Sequence, residues 1–67
     1  MGDVLSVGGG VFELRIFYGP GYRVYCGLEN DQDVILLCGG TKATQKRDIR
    51  RAADYWDDFR RRSNGNE

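Results

Sequence analysis

The chain has 67 residues, equal numbers of acidic and basic side chains, two cysteines and no histidine. This length predicts a single small domain, residues 1–67, with a modest core. Without histidine, the most common acid–base catalyst and metal ligand is excluded, and two cysteines cannot complete a zinc site. We therefore expect no metal and no cofactor.

The first predicted strand follows a flexible glycine-rich lead-in, VGGGVF. Apolar residues alternate along FELRIFY, which is typical of a half-buried strand. The GPG sequence at 19–21 predicts a chain reversal, because glycine adopts positive φ and proline restricts φ. YRVYCGL then alternates as a second strand.

The polar stretch ENDQD predicts a loop before the third strand, VILLC, which is apolar on both faces. Such a run predicts a strand covered on both sides, hence a central one. A helix follows, with Thr41 or Thr44 as its N-cap. Its apolar stripe comprises Ile49, Ala52, Ala53, Trp56 and Phe59. The predicted fold is α+β, an antiparallel β-meander of three strands packed by one C-terminal α-helix, with residues 63–67 as a disordered tail.

The hairpin has two unlike faces. Pairing through GPG places Phe17 opposite Arg23 and Arg15 opposite Tyr25. One face, called the polar face below, then holds Glu13, Arg15, Phe17, Arg23 and Tyr25. The other holds Phe12, Leu14, Ile16, Tyr18, Tyr22, Val24, Cys26 and Leu28. Because this second face is apolar apart from two phenols, it is the predicted core.

The cysteines and the apolar runs indicate the compartment of the protein. The apolar surroundings of Cys26 and Cys38 predict buried free thiols, and no run is long enough to span a bilayer, so we expect a cytoplasmic protein without membrane contact.

Residues 1–41 carry a net charge of −3 and residues 42–62 carry +4. The basic half favours an anionic partner, with a solvated helix face as the alternative.

Arginine, lysine and aromatic rings on one sheet are the groups that bind RNA, since cations neutralise phosphates and rings stack on bases. RNA cleavage needs no protein nucleophile when the 2′-OH attacks, provided that cations stabilise the developing charge. The candidate catalytic residues are Arg15, Arg23 and Lys42, with Tyr25 or Tyr22 assisting. The candidate RNA-binding residues are Lys46, Arg47, Arg50 and Arg51. An ion pair with Glu13, or simple solvation, is the alternative for the strand arginines.

Several segments of the chain resemble the RelE/ParE superfamily of addiction-module killer proteins. They are VFELRIFYGPGYRVY, VILLCGGTK, Gln45, RDI at 47–49, and the alanine, tyrosine and tryptophan at 52–56. The resemblance covers about residues 2–62. It implies the toxin of a bacterial type II toxin–antitoxin system, neutralised by a helix-turn-helix antitoxin. RelE-type members cleave mRNA on the ribosome, and ParE-type members inhibit DNA gyrase.

The resemblance also implies roles for individual residues. Arg23 matches the arginine that contacts the scissile phosphate, Arg15 a basic strand residue, and Lys42 the basic residue after the last strand. The family's C-terminal catalytic tyrosine has no counterpart before Tyr55. The N-terminal helices that cover the sheet in the family are expected to be missing here, which predicts a homodimer through the exposed sheet. The alternatives are a non-catalytic toxin-like protein that binds antitoxin or RNA, and a gyrase inhibitor.

Overall fold

The computed structural model describes residues 3–65, with side chains through residue 62. The fold is α+β: a four-stranded antiparallel sheet of order β1-β2-β3-β4 precedes one C-terminal helix. The strands are β1 (Val4–Gly8), β2 (Val11–Ile16), β3 (Tyr22–Glu29) and β4 (Asp33–Thr41). A short 3₁₀ turn (Lys42–Thr44) leads into α1 (Gln45–Gly65). The helix continues to Gly65, so residues 63–65 of the expected disordered tail are helical, and residues 66–67 lie outside the described residues.

The glycine-rich lead-in is part of a hairpin, so the sheet has four strands rather than the three predicted. Val4 pairs with Leu14 on β2, and the chain reverses through Gly8, Gly9 and Gly10 with φ of +98°, +63° and +86°. Only glycine adopts three such left-handed conformations in succession at little cost. These glycines were expected to be a flexible lead-in, whereas they form a turn.

The hairpin of β2 and β3 pairs two residues away from the predicted register. Arg15 lies opposite Arg23, and Glu13 lies opposite Tyr25. The connecting loop is longer than GPG alone, because β2 ends at Ile16 and β3 begins at Tyr22. A shift of two residues leaves every side chain on its predicted face, since side chains alternate with a period of two.

The apolar strand VILLC is not central, as predicted, but lies in β4 at the edge of the sheet. The register changes so that Tyr25 pairs with Cys38 and Cys26 pairs with Leu36, which leaves Leu37 as an extra residue. Leu37 and Cys38 both pack against the core. The bulge therefore accounts for an apolar run that a covered central strand would also produce.

The helix covers the polar face, which corrects the prediction that the apolar face is the core. The buried apolar cluster consists of Val11, Tyr25, Ala52 and Trp56. Trp56 lies directly over Gly27, where any side chain would overlap the indole ring. A flat ring packs closely on bare backbone, which gives the helix a complementary surface on this face.

The predicted core side chains lie on the opposite side of the sheet, facing solvent. Leu14, Ile16, Tyr22 and Leu28 are 36–44% exposed, and Phe12, Val24 and Cys26 are half-buried. Tyr18 is in the loop and is 77% exposed. Hydrophobicity alone assigned the core to this face, but the tertiary structure leaves it uncovered.

Candidate functional site

The polar face is organised around one buried carboxylate. The side chain of Glu13 is fully buried, and its oxygens accept hydrogen bonds from Arg15 Nε at 2.8 Å, Gln45 Nε2 at 2.9 Å and the Tyr25 hydroxyl at 3.1 Å. Arg23 Nη1 donates to the same carboxylate at 3.4 Å. Four donors around one carboxylate satisfy a charge that would otherwise be costly to bury.

Local pairing explains why these groups meet. Glu13 and Tyr25 are cross-strand partners, and Arg15 and Arg23 form the next pair on the same face. Directly opposed side chains lie within contact distance. Gln45, the first residue of α1, completes the cluster from above the sheet. The strand arginines thus form ion pairs with Glu13, which was the alternative to a free RNA-binding role.

The network holds Glu13 ionised and Tyr25 protonated. Burial alone would raise the pKa of Glu13, but hydrogen bonds from Arg15, Gln45 and Tyr25 outweigh it and lower this pKa below its ordinary value. Burial and the bond to the Glu13 carboxylate raise the pKa of Tyr25 far above its ordinary value. The Tyr25 phenol is therefore not a base at neutral pH.

A second buried carboxylate, Asp48, lies one turn into the helix. It accepts a hydrogen bond from the Thr44 hydroxyl and contacts Arg47 Nη2 at 3.3 Å and Arg51 Nη1 at 3.8 Å. The Thr44 bond lowers the pKa of Asp48, and the two arginines act in the same direction against the effect of burial. Gly40 gives the carboxylate room, since a Cβ there would overlap it.

The predicted cations divide into two groups. Arg15, Arg23, Arg47 and Arg51 are ion-paired to the two buried carboxylates. Lys42, Lys46 and Arg50 are exposed, and they form no salt bridge within residues 3–62. All of these cations belong to the β2–β3 pair, the 3₁₀ turn or the first two turns of α1. The second group is therefore available to an anionic ligand.

Accessibility separates the candidate catalytic residues. The side chain of Arg15 is 32% exposed, that of Arg23 only 10%, and Tyr25 is fully buried. Tyr22 pairs with Thr41 on the opposite face of the sheet, so the structure does not bring it to the arginines. Of the predicted set, Arg15 and Lys42 present cations to solvent beside this cluster.

Several residues of the cluster are not among the site residues that the sequence predicts. Glu13 was considered only as a partner or proton carrier, although it is the centre of the network. Three further residues had no predicted role in a site: the buried carboxylate Asp48, its donor Thr44, and Gln45, which donates to Glu13. The available signal for Glu13 was an acidic residue in a strand between apolar neighbours, which is typical of a buried or paired carboxylate. Gln45 had none, because it lies 32 residues away.

Neither a cluster of potential metal ligands nor a membrane-spanning helix occurs among the described residues. Residues 3–65 contain no group of three or more carboxylates or thiols that could hold a metal ion. Cys26 and Cys38 are free and half-buried rather than fully buried. No described helix combines the length and the apolar composition needed to cross a bilayer.

Comparison with known proteins identifies one relative but no function. No protein-family model matches the chain, and no solved structure matches it. An uncharacterized protein of Haemophilus influenzae strain Rd is 59% identical over 51 residues, which are 76% of this chain and 52% of that protein. The chain thus spans about half the length of this curated relative. Any functional conclusion must come from the residues themselves.

Proposed function

We propose that the protein is a toxin component of a bacterial type II toxin–antitoxin system, of RelE/ParE type, that acts on mRNA. The observation that carries the proposal is the grouping of Arg15, Arg23 and Lys42 at one end of the sheet, beside the basic start of α1. Under this proposal a helix-turn-helix antitoxin neutralises the protein, and the ribosome presents the mRNA.

The electrostatics of this region support contact with a polyanion. Lys42, Lys46 and Arg50 are exposed, and Arg15 is partly so. Exposed cations close together bind phosphates mainly by displacing counterions, so the interaction depends steeply on salt. Arg47 and Arg51 keep part of their charge directed at Asp48 and contribute less.

Cleavage would proceed by attack of an RNA 2′-oxygen on the adjacent phosphorus. The bond from phosphorus to the 5′-oxygen breaks, the 2′-OH proton passes to water, and the leaving 5′-oxygen takes a proton from water, so that the products are a 2′,3′-cyclic phosphate and a 5′-hydroxyl. Arg15 and Lys42 would stabilise charge on the phosphate, because both are within reach of solvent. Arg23, Tyr25 and Glu13 then act as positioning residues that hold Arg15.

Burial favours a second candidate, a toxin-like protein that binds RNA or antitoxin without cleaving. The Arg23 side chain is only 10% exposed and Tyr25 is fully buried, so neither contacts a bound phosphate in this conformation. Cleavage with Arg23 in contact with the scissile phosphate would require α1 to move away from the sheet. Binding through Lys42, Lys46 and Arg50 requires no such motion.

Induced expression in bacteria tests the proposal. Growth arrest with new 5′ ends in mapped mRNA, both lost in Arg15→Ala and Lys42→Ala, is the expected result. Arg61→Ala is the matched control, since Arg61 is exposed on the far part of α1 and pairs only with Asp57 among the described residues. It should behave as wild type.

Two other outcomes contradict cleavage. Normal growth with RNA binding that weakens in Lys42→Ala would establish the non-catalytic candidate. Growth arrest with intact mRNA would replace mRNA by a protein target such as gyrase. Soluble expression of each variant, checked by circular dichroism, distinguishes loss of activity from loss of fold.

A further inference from the structure

The face of the sheet opposite α1 is apolar and uncovered, and is called the open face here. Its positions follow from the strand register: Val4, Ser6, Phe12, Leu14, Ile16, Tyr22, Val24, Cys26, Leu28, Val34, Leu36, Gly39 and Thr41. None of these residues is Asp, Glu, Lys or Arg. Among its large apolar side chains, the most exposed are Leu36 at 73%, Val4 at 65% and Val34 at 61%. An uncharged sheet face of this kind marks an interaction surface.

The open face is uneven, with one hollow and one protruding side chain. A shallow hollow of about 240 Å³ is lined by Val4, Phe12, Cys26, Gly27, Leu28 and Val34. Leu36 protrudes next to it on β4, two residues from Val34. A protruding leucine and an apolar hollow on one surface are the two halves of a self-complementary contact.

The extent of the open face can be compared with the area that a small specific interface buries on each partner. Four strands about 4.8 Å apart, each contributing about six residues at 3.3 Å per residue, give a projected area of roughly 400 Å². The accessible area of protruding side chains exceeds their projection. The open face therefore approaches the lower end of specific interfaces, about 600 Å² per partner.

We propose that two copies of this chain pack open face against open face. The two-fold axis of this dimer lies between the two sheets and passes midway between Leu36 and the hollow. Leu36 of each copy then lies over the hollow of the other copy. Face-to-face sheets pack about 10 Å apart with interdigitating side chains. The proposal is independent of the proposed action on mRNA, because Arg15, Lys42 and the basic part of α1 are not on this face.

A second copy fits this surface better than an ionic partner does. The open face offers no cation to a nucleic acid and no charge that would repel an identical face. The cations of the molecule lie on the other face, in the 3₁₀ turn and on α1. Two identical apolar faces meet without burying an unpaired charge, which is the costly term in most alternative pairings.

The two cysteines allow a test on the unmodified chain. Cys26 lines the hollow on the open face, whereas Cys38 packs against the core on the helix side. Light scattering after size exclusion should show the mass rising from 7.6 kDa toward twice that value with concentration. Over about 1 to 500 µM, alkylation of Cys26 should slow at least about threefold while Cys38 is unchanged.

Leu36→Glu is the disruptive variant, and Tyr55→Glu is the matched control, since Tyr55 is an apolar residue 45% exposed on α1. We expect Leu36→Glu to be monomeric, with alkylation of Cys26 independent of concentration, and Tyr55→Glu to dimerise as wild type. A wild-type chain that stays monomeric overturns the proposal and leaves the face to a different partner. A dimer in which Cys26 is not protected, or which survives Leu36→Glu, overturns it too.

Discussion

The two faces of the sheet reverse the usual distribution of polarity. The covered face and the helix above it bury the carboxylates of Glu13 and Asp48 and most of Arg23, whereas the opposite face exposes leucine, isoleucine and valine. The buried polar groups are stable there because each carboxylate is surrounded by donors. A face of a sheet is therefore buried when another element complements its shape and pairs its charges, and not simply because it is apolar.

The largest expected effect comes from neutralising the centre of the covered face. Glu13→Gln keeps the side-chain shape but leaves Arg15 and Arg23 without a counterion. We expect the free energy of unfolding to fall by about 3 kcal/mol, measured by urea denaturation followed by circular dichroism. Asp57→Asn removes an exposed carboxylate and should change it by less than about 0.5 kcal/mol. Equal effects of the two variants would contradict a stabilising role of the Glu13 network.

The next effect concerns shape. Gly27→Ala places a methyl group where Trp56 packs on the sheet, so the indole ring must move. We expect a loss of about 1–3 kcal/mol together with a shift of tryptophan fluorescence. The same substitution in a Trp56→Leu background should cost less, because the smaller side chain leaves space. If the two changes were additive, Gly27 would not be the contact that holds α1 on this face.

Acid should weaken the covered face. The pKa of Glu13 is lowered in the folded state, so its contribution to stability is present above its ordinary pKa of 4.5 and is lost as the pH falls through the folded value. Unfolding free energy measured from pH 7 to pH 2.5 should therefore decline below about pH 4.5. Glu13→Gln should show a shallower decline, with Asp48 supplying the remainder. Parallel curves would exclude Glu13 as a source of the dependence.

The smallest effect is expected on the open face. Leu36→Ser removes apolar surface from a side chain that is 73% exposed in the single chain. At concentrations too low for association, the free energy of unfolding should change by less than about 0.5 kcal/mol. Thermal melts at increasing concentration should separate the variant from wild type only where association occurs. A large loss in the dilute monomer would show that the open face is part of the folding core.

Much of the fold was readable from local pattern. The alternation along residues 12–18 and 22–28 predicted two strands, their shared faces and the reversal between them, and the spacing of Ala52, Trp56 and Phe59 predicted the helix. The first strand was missed because GGG reads as flexibility until a partner strand shows it to be a turn. The edge position of β4 was missed because a bulge and a central strand give the same apolar run.

The candidate site was predicted only in part, for a related reason. The register placed Arg15, Arg23 and Tyr25 together, as the alternation required. Their burial, and their common partner Glu13, depended on where α1 lies. Gln45 donates to Glu13 from a different element of the fold. The two residues are 32 positions apart in the chain, so no short-range sequence pattern links them.

The amino-acid sequence by itself therefore determined the antiparallel sheet, the helix and the division of the strands into one polar and one apolar face, because each depends on neighbours in the chain. Only the tertiary structure decided which face the helix covers. That choice depends on the contact of Trp56 with the backbone of Gly27 and on the hydrogen bond from Gln45 to Glu13. Both join residues that are far apart in the chain, so the hydrophobicity of each strand face does not predict them.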